Sequence, residues 1–227
     1  MKSTTLLFTI CIILKAFVIN SYALEDEYAK LDITNNKIPI KKYGDAWLRI
    51  SVPFKFVKHP KLQALQGKRP STIAQAFNPK YLDNVKVKLW ICFMNNYKKN
   101  LLRSAGDFKE TDFYQYYYSE VEYQTLEFDT STKEAQFLFP AAIAERDGFM
   151  EAYVKPVGYV IEISHDGTSY ELSDSVYFNF RGVTPQVLES FRTQAVSKSS
   201  ANKGVLLPAH KVSMDLLNDM GPVKDND

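Results

Sequence analysis

The sequence feature that most constrains the fold is an aromatic run at residues 113–128, which reads FYQYYYSEVEYQTLEF. Aromatic and β-branched side chains lose χ1 freedom in a helix, so a run of this kind disfavours helical structure. The same side chains pack well against neighbours across a pleated sheet. We therefore predict a long β-strand here, as a central hairpin arm of an antiparallel sandwich.

Two other stretches alternate between apolar and other residues, which is the pattern of a strand with one buried face. The apolar series are Leu48, Ile50, Val52, Phe54 and Phe56 in residues 46–57, and Val85, Val87, Leu89, Ile91 and Phe93 in residues 85–94. Pro53 cannot donate a backbone hydrogen bond, so the first strand lies at an edge or turns this position away from a neighbour. Short strands separated by turn signals predict an all-β, antiparallel sandwich.

Two details refine this prediction. The tetrapeptide His-Asp-Gly-Thr at residues 165–168 is typical of a tight hairpin turn. The second face of residues 85–94 changes from lysine to apolar, so one end of this strand should be covered on both sides. Cys92 lies at that end, and we predict that it is a buried, inert thiol.

Residues 1–23 have the pattern of a secretory signal peptide, with cleavage predicted after Ala23. Lys2 supplies the positive start, and an apolar segment follows. The alternative is a retained membrane anchor, but the segment is short for a bilayer and Lys15 interrupts it. The mature protein is therefore expected in the periplasm or at the cell surface, with no stable membrane span.

The mature chain divides by composition into three parts. Residues 24–44 change from acidic to basic with weak periodicity and are predicted to form an exposed N-terminal arm. Residues 45–182 contain the predicted strands, and residues 183–227 contain a short helix and a tail. Thr184 and Pro185 suit the N-cap and the first position of that helix.

Val205, Leu206 and Leu207 form an apolar patch behind a polar linker and are candidate interaction residues. They are too few to form a core, so we expect them to dock by β-augmentation. The acceptor is a sheet edge of the same domain or one of a neighbouring subunit. Docking within the chain is preferred, because the preceding helix can lead the tail back along the sandwich.

The charge and motif content exclude several classes of function. The formal net charge of +2 includes Lys2 and Lys15 of the leader, so the mature chain is close to neutral. Nucleic-acid-binding proteins usually carry a basic excess. His59, His165 and His210 lie apart in the sequence, without metal-binding or catalytic motifs. We therefore predict no enzymatic activity, no catalytic residues, no cofactor and no metal.

Tyr116 and Tyr118 are two positions apart, so they share one face of the predicted strand. Their rings could stack on sugars, which makes a carbohydrate-binding module with an aromatic sheet face the alternative function. Packing in the core or on the sheet is the competing explanation, because buried tyrosines commonly have a structural role.

Several short motifs occur together along the chain. They are W-x-R-x-x-V-x-F at 47–54, N-P-x-x-x-D-x-V-x-V at 78–87, Y-Y-S-x-V at 117–121, F-x-F-P-x-x-I-A-E-R-D at 137–147 and S-F-R-x-x-A…A-N-x-G-V-L-L-P at 190–208. In these motifs the chain resembles the exported immunoglobulin-like proteins encoded beside type IV pilus genes in verrucomicrobial bacteria. The resemblance covers most of residues 45–208, and the last motif is its most specific part.

This resemblance implies a small immunoglobulin-like β-sandwich with protein partners, and a pilus- or surface-associated role in place of catalysis. The function it implies is that of an exported interaction protein, an accessory or structural component of a type IV pilus-like apparatus. The polar connection at residues 58–80 is an insertion relative to the family pattern. The tail beyond Pro208 matches no part of it.

Overall fold

In the computed structural model, the strands form two five-stranded antiparallel sheets. The predicted leader and the end of the predicted tail lie outside the described part of the chain. The structure describes residues 28–103, 105–149, 154–170 and 172–212.

The first sheet consists of β1 (Ala29–Leu31), β2 (Ile40–Tyr43), β3 (Trp47–Phe56), β6 (Lys133–Pro140) and β10 (Leu207–Pro208). The second sheet consists of β4 (Tyr81–Met94), β5 (Tyr114–Glu127), β7 (Gly158–His165), β8 (Thr168–Tyr170) and β9 (Val176–Phe178). The described helices are α1 (Pro60–Leu65), α2 (Asn96–Leu102), α3 (Ala141–Arg146) and α4 (Pro185–Lys198). The strand orders are β1-β3-β6-β10, with β2 also on β3, and β5-β4-β7-β8, with β9 also on β7.

β4 is an interior strand of the second sheet, between β5 and β7. Its predicted inward series, from Val85 to Phe93, is at most 1% exposed, which confirms the alternation. The aromatic run forms β5, which pairs with β4 at the edge of the sheet, so the predicted central position is wrong. Alternation identifies the buried face of a strand, but it does not tell which strands flank it.

β3 is also an interior strand, and it tolerates Pro53 for a geometric reason. The backbone nitrogen of Ser51 donates to the carbonyl of Pro39, and Asp32 donates to the carbonyl of Pro53, both at 3.0 Å. Since Ser51 and Pro53 are two residues apart, the proline nitrogen points to this same side. On that side of β3, residues 32–39 form the connection between β1 and β2. The position that lacks an amide hydrogen therefore lies between the part of β3 that pairs with β1 and the part that pairs with β2.

The segment predicted to be an exposed arm belongs to the sandwich over residues 28–43. β1 pairs with β3, with Ala29 opposite Phe56, and β2 pairs with the other half of β3. Ala29 and Ile38 are buried in the core. The expectation of an exposed arm is therefore wrong here, because strands of three and four residues are too short to give a clear period.

The predicted hairpin turn joins β7 to β8, where His165 pairs with Thr168. Asp166 and Gly167 have φ values of 47° and 79°. Two successive residues with positive φ fit the turn type that matches the twist of paired strands, so this prediction is confirmed.

Aromatic side chains join the two sheets across the core. The ring of Tyr117 on β5 meets that of Phe139 on β6 edge-on, at 4.8 Å between centroids. Phe93 on β4 stacks on Phe149 at 5.0 Å. Because Tyr117 points inward, its neighbours Tyr116 and Tyr118 point to the outer face of the second sheet.

α4 packs on that outer face through Phe191 and Ala195, which lie four residues apart on one side of the helix and are both buried. The helix begins as predicted, with Thr184 Oγ1 accepting a hydrogen bond from the backbone nitrogen of Val187 at 3.3 Å. α4 therefore covers a sheet face that would otherwise expose aromatic residues.

Residues 184–212 form a C-terminal strap that runs from the second sheet to the first. After α4, a 3₁₀ turn at Ser199–Asn202 lies beside β5, where Asn202 Nδ2 donates to the carbonyl of Tyr116 at 3.0 Å. β10 then pairs with β6. The strap thus covers the edge of β5 and adds a strand to the first sheet.

The strand order identifies the fold. β1, β3 and β6 correspond to strands A, B and E of an immunoglobulin-like sandwich. β5, β4, β7 and the pair β8/β9 correspond to strands C′, C, F and G. The chain is an all-β antiparallel sandwich with a short C-terminal helix, as predicted.

Candidate functional site

The outer face of the second sheet changes from apolar to charged along the strands. The β4 sequence predicts this gradient, and α4 covers the apolar end. In order, the cross-strand pairs are Cys92–Tyr116, Trp90–Tyr118 and Lys88–Glu120.

At the apolar end, Cys92 is a fully buried free thiol, which confirms its predicted burial. Burial raises the pKa of this thiol. Tyr116 is 3% exposed, and its ring lies 6.1 Å from that of Phe191 on α4. Burial also raises the pKa of the Tyr116 hydroxyl.

At the charged end, the carboxylates are paired with lysines. Lys88 Nζ lies 2.6 Å from Glu162 Oε1, and Lys86 Nζ lies 3.2 Å from Glu122 and 3.7 Å from Glu120. These side chains are partly exposed, so each pair contributes little to stability. The pairing neutralises most of the charge on this half of the face.

A groove of about 550 Å³ lies between α4 and the β7–β8 region, next to the boundary between the two halves. Its apolar lining includes Trp90, Val160, Leu172 and Val196. Small-ligand sites are typically about 300–1,000 Å³, mainly apolar, with a few placed polar groups. The groove lies within this size range, and its lining combines apolar side chains with several polar ones.

Arg192 supplies the cation of the groove. In the described part of the chain its side chain makes one hydrogen bond, from Nη2 to Ser175 Oγ at 3.4 Å. Glu162, the carboxylate of the groove, accepts hydrogen bonds from Lys88 Nζ at 2.6 Å and Ser169 Oγ at 3.1 Å. Since Lys88 already balances Glu162, Arg192 is the groove cation that has no carboxylate partner among the described residues.

The structure places Tyr116 and Tyr118 on one face, but it does not present them as two open rings. Tyr116 lies beneath α4, whereas Tyr118 is partly exposed, with its ring centroid 4.9 Å from that of Trp90. The Tyr118 hydroxyl donates to Glu120 Oε2 at 2.5 Å, and this bond lowers the pKa of Glu120. The two-ring platform that the alternative function requires is therefore not formed, because α4 covers one of the rings.

Val205, Leu206 and Leu207 are docked on their own chain. Leu206 is 2% exposed and belongs to the core, while Val205 and Leu207 are half-buried. Leu207 pairs with Leu138 of β6, and β10 ends at Pro208. Of the two docking arrangements expected, the structure has the internal one.

His59 and His165 are both buried within the fold. His59 Nδ1 accepts from the backbone nitrogen of Leu62 at 3.4 Å, and Nε2 donates to the carbonyl of Tyr81 at 3.1 Å. His165 Nε2 is buried without a hydrogen-bond partner, 3.7 Å from Asp166 Oδ2. Within the described ranges, no three His, Cys, Asp or Glu residues are arranged to hold a metal ion.

The protein is expected to lose stability as the pH falls from about 7.5 to about 5.5. Burial lowers the pKa of His59 and His165 below the ordinary value of 6.5. Because both folded pKa values are lowered, the unfolded chain binds protons first, so stability is full above 6.5 and declines below it. Protonating His59 would also remove the acceptor that caps α1.

Urea unfolding at the two pH values measures this loss. His59→Asn, which keeps a capping group, should reduce the pH dependence to the part that His165 contributes. His210→Gln at an exposed position should leave it unchanged. A stability independent of pH over this range would contradict the assignment.

Sequence reasoning did not identify the groove. Trp90, Val160 and Arg192 come from β4, β7 and α4. The local signals are that Arg192 is a fixed position of the S-F-R-x-x-A motif and that it follows the buried helix position Phe191, at the margin of the contact face. The groove becomes visible only once the pairing of β4 with β7 and the position of α4 are known.

No described helix has the length and apolar character needed to cross a bilayer. The sequence matches no family model, and no curated protein matches it. The fold is similar to a crystal structure from Akkermansia muciniphila, at 15% sequence identity and a TM-score of 0.49. That similarity covers 81% of this chain and 86% of the other chain.

Proposed function

We propose that this chain is an exported, non-enzymatic interaction protein, an accessory or structural component of a type IV pilus-like surface apparatus. It would act on protein partners in the periplasm or at the cell surface. The leader pattern at residues 1–23 and the motifs in residues 45–208 support this role.

The observation that carries the proposal is the groove between α4 and the β7–β8 region. It joins aliphatic walls to a guanidinium that has one hydrogen bond in the described structure. Paired strands β4 and β7 carry Trp90 and Val160, and α4 carries Arg192 and Val196. The candidate tail residues 205–207 are used in internal docking, so we assign partner recognition to the groove.

Gene deletion followed by complementation tests this proposal. We expect deletion to reduce surface filaments counted by electron microscopy, and the wild-type gene to restore them. Val196→Glu should fail to restore them, because it places a carboxylate on the groove wall at a position that is 49% exposed. Val183→Glu, at a 38% exposed position outside the groove, is the matched control and should restore filaments.

A photo-crosslinking residue at position 196 should capture a pilus component in intact cells, whereas one at position 183 should not. Unchanged filaments after deletion, together with no crosslinked pilus component, would overturn the proposal.

A further inference from the structure

We infer that the groove binds the C-terminal residue of a partner polypeptide, with an apolar side chain between the aliphatic walls and the terminal carboxylate on Arg192. This inference rests on the proposed function, since it specifies the chemistry by which an interaction protein would hold its partner.

The carboxylate site follows from the charges in the groove. A guanidinium can donate two parallel hydrogen bonds to one carboxylate. Lys88, which lies 2.6 Å from Glu162, already has its anion. Arg192 is exposed at the rim, and in the described structure its single hydrogen bond is the long one to Ser175. Arg192 therefore suits a single carboxylate from outside the chain.

The apolar site lies directly beside this cation. Arg192 and Val196 are four residues apart on α4, so they are neighbours on one helix face. Val160 and Leu172 are buried, and Val196 is 49% exposed. A ligand side chain in the groove would cover the exposed part of Val196. The C-terminal residue of a polypeptide carries both groups that the groove would bind, because its terminal carboxylate and its side chain are attached to the same Cα atom.

The groove fits other ligand classes less well. Trp90 is 9% exposed and has Tyr118 packed against it, so it offers a sugar little ring surface. Asp174 and Glu189 border a smaller cavity of about 270 Å³ that Arg192 also lines. These two carboxylates would repel a polyanion, whereas a single carboxylate on the other side of Arg192 is compatible with them.

Titration of the mature protein with N-acetyl-Ala-Leu, as the free acid and as the C-terminal amide, tests the inference by heteronuclear NMR. We expect saturable shifts at Trp90, Arg192 and Val196 with the acid, and affinity at least about tenfold weaker for the amide. Arg192→Gln and Val196→Glu should each weaken binding of the acid by at least about tenfold. Arg192→Lys should have a smaller effect, because lysine keeps the positive charge, although it cannot donate two parallel hydrogen bonds to the carboxylate.

Arg181→Gln and Val183→Glu are the matched controls, because both positions are exposed and outside the groove lining. They should bind the acid as the wild type does. Equal affinity for acid and amide, or no saturable shift in the groove, would overturn the inference. Binding on a glycan array that Arg192→Gln abolishes would also overturn it, in favour of a saccharide. If the peptide does not bind but crosslinking from position 196 still captures a pilus component, the inference of a C-terminal ligand is wrong and the proposed function stands.

Discussion

Replacing Phe191 with alanine is expected to lower the free energy of unfolding by about 3–5 kcal/mol, the usual cost of truncating a buried phenylalanine. Phe191 is 3% exposed and stacks on Phe178 of β9 at 4.7 Å between ring centroids. It is also the main aromatic contact of α4 with the sheet. Chemical denaturation measures the loss. A native thiol assay should in addition show faster labelling of Cys92, since α4 covers that thiol.

Val196→Ala on the same helix is the control for this prediction. Val196 is half exposed, so its truncation should change stability by less than about 0.5 kcal/mol. If Phe191→Ala were as mild as this control, the packing of α4 on the second sheet would be incorrect.

Gly158→Ala is expected to destabilise the protein by about 1–3 kcal/mol, the range for overpacking a core. A Cβ atom at this position would lie 2.5 Å from the carbonyl oxygen of Tyr177 and 2.6 Å from Cζ of Phe191. The first contact is with backbone, so β9 would have to move away from β7. Thermal melting measures the cost. An unchanged melting temperature would mean that β9 lies farther from Gly158.

A double mutant separates the two contacts of Gly158. In a Phe191→Ala background the aromatic contact is gone, so Gly158→Ala should cost less than in the wild type. It should still cost something, because the Tyr177 carbonyl remains. Strictly additive losses would indicate that the helix and the glycine are not coupled.

The long strands could be predicted from the sequence because their inner residues alternate with a period of two. β3 and β4 have ten and fourteen residues, enough for the pattern to be clear. The hairpin at residues 165–168 and the start of α4 also depend on local chemistry. β1 and β2 were missed because they are short, and the edge position of β5 was missed because strand neighbours are set by long-range pairing.

The candidate site was less predictable than the fold. Tyr116 and Tyr118 were identified from their spacing, but the helix that covers Tyr116 begins about seventy residues later in the chain. Arg192 is a fixed position of the S-F-R-x-x-A motif, but the motif does not show which groups surround it. Its importance comes from Lys88, which occupies Glu162 and so leaves the arginine available. Such a charge balance depends on contacts between distant residues and not on local sequence.

The register of the first sheet determines how this domain would respond to tension between its two ends. β1 and β10 lie at opposite edges of the sheet. Ala29 is opposite Phe56 at the end of β3, and β10 runs from Leu138 towards the start of β6. Since the end of β3 is beside the start of β6, the entry to β1 and the exit from β10 lie at the same pole of the sandwich. Pulling these two points apart would apply force across the strands, so the hydrogen bonds of the edge strands would open one at a time. A force along the strands would instead load all of those hydrogen bonds together. β10, with two paired residues, would detach early and draw Leu206 out of the core, while the longer pairing of β3 with β6 holds.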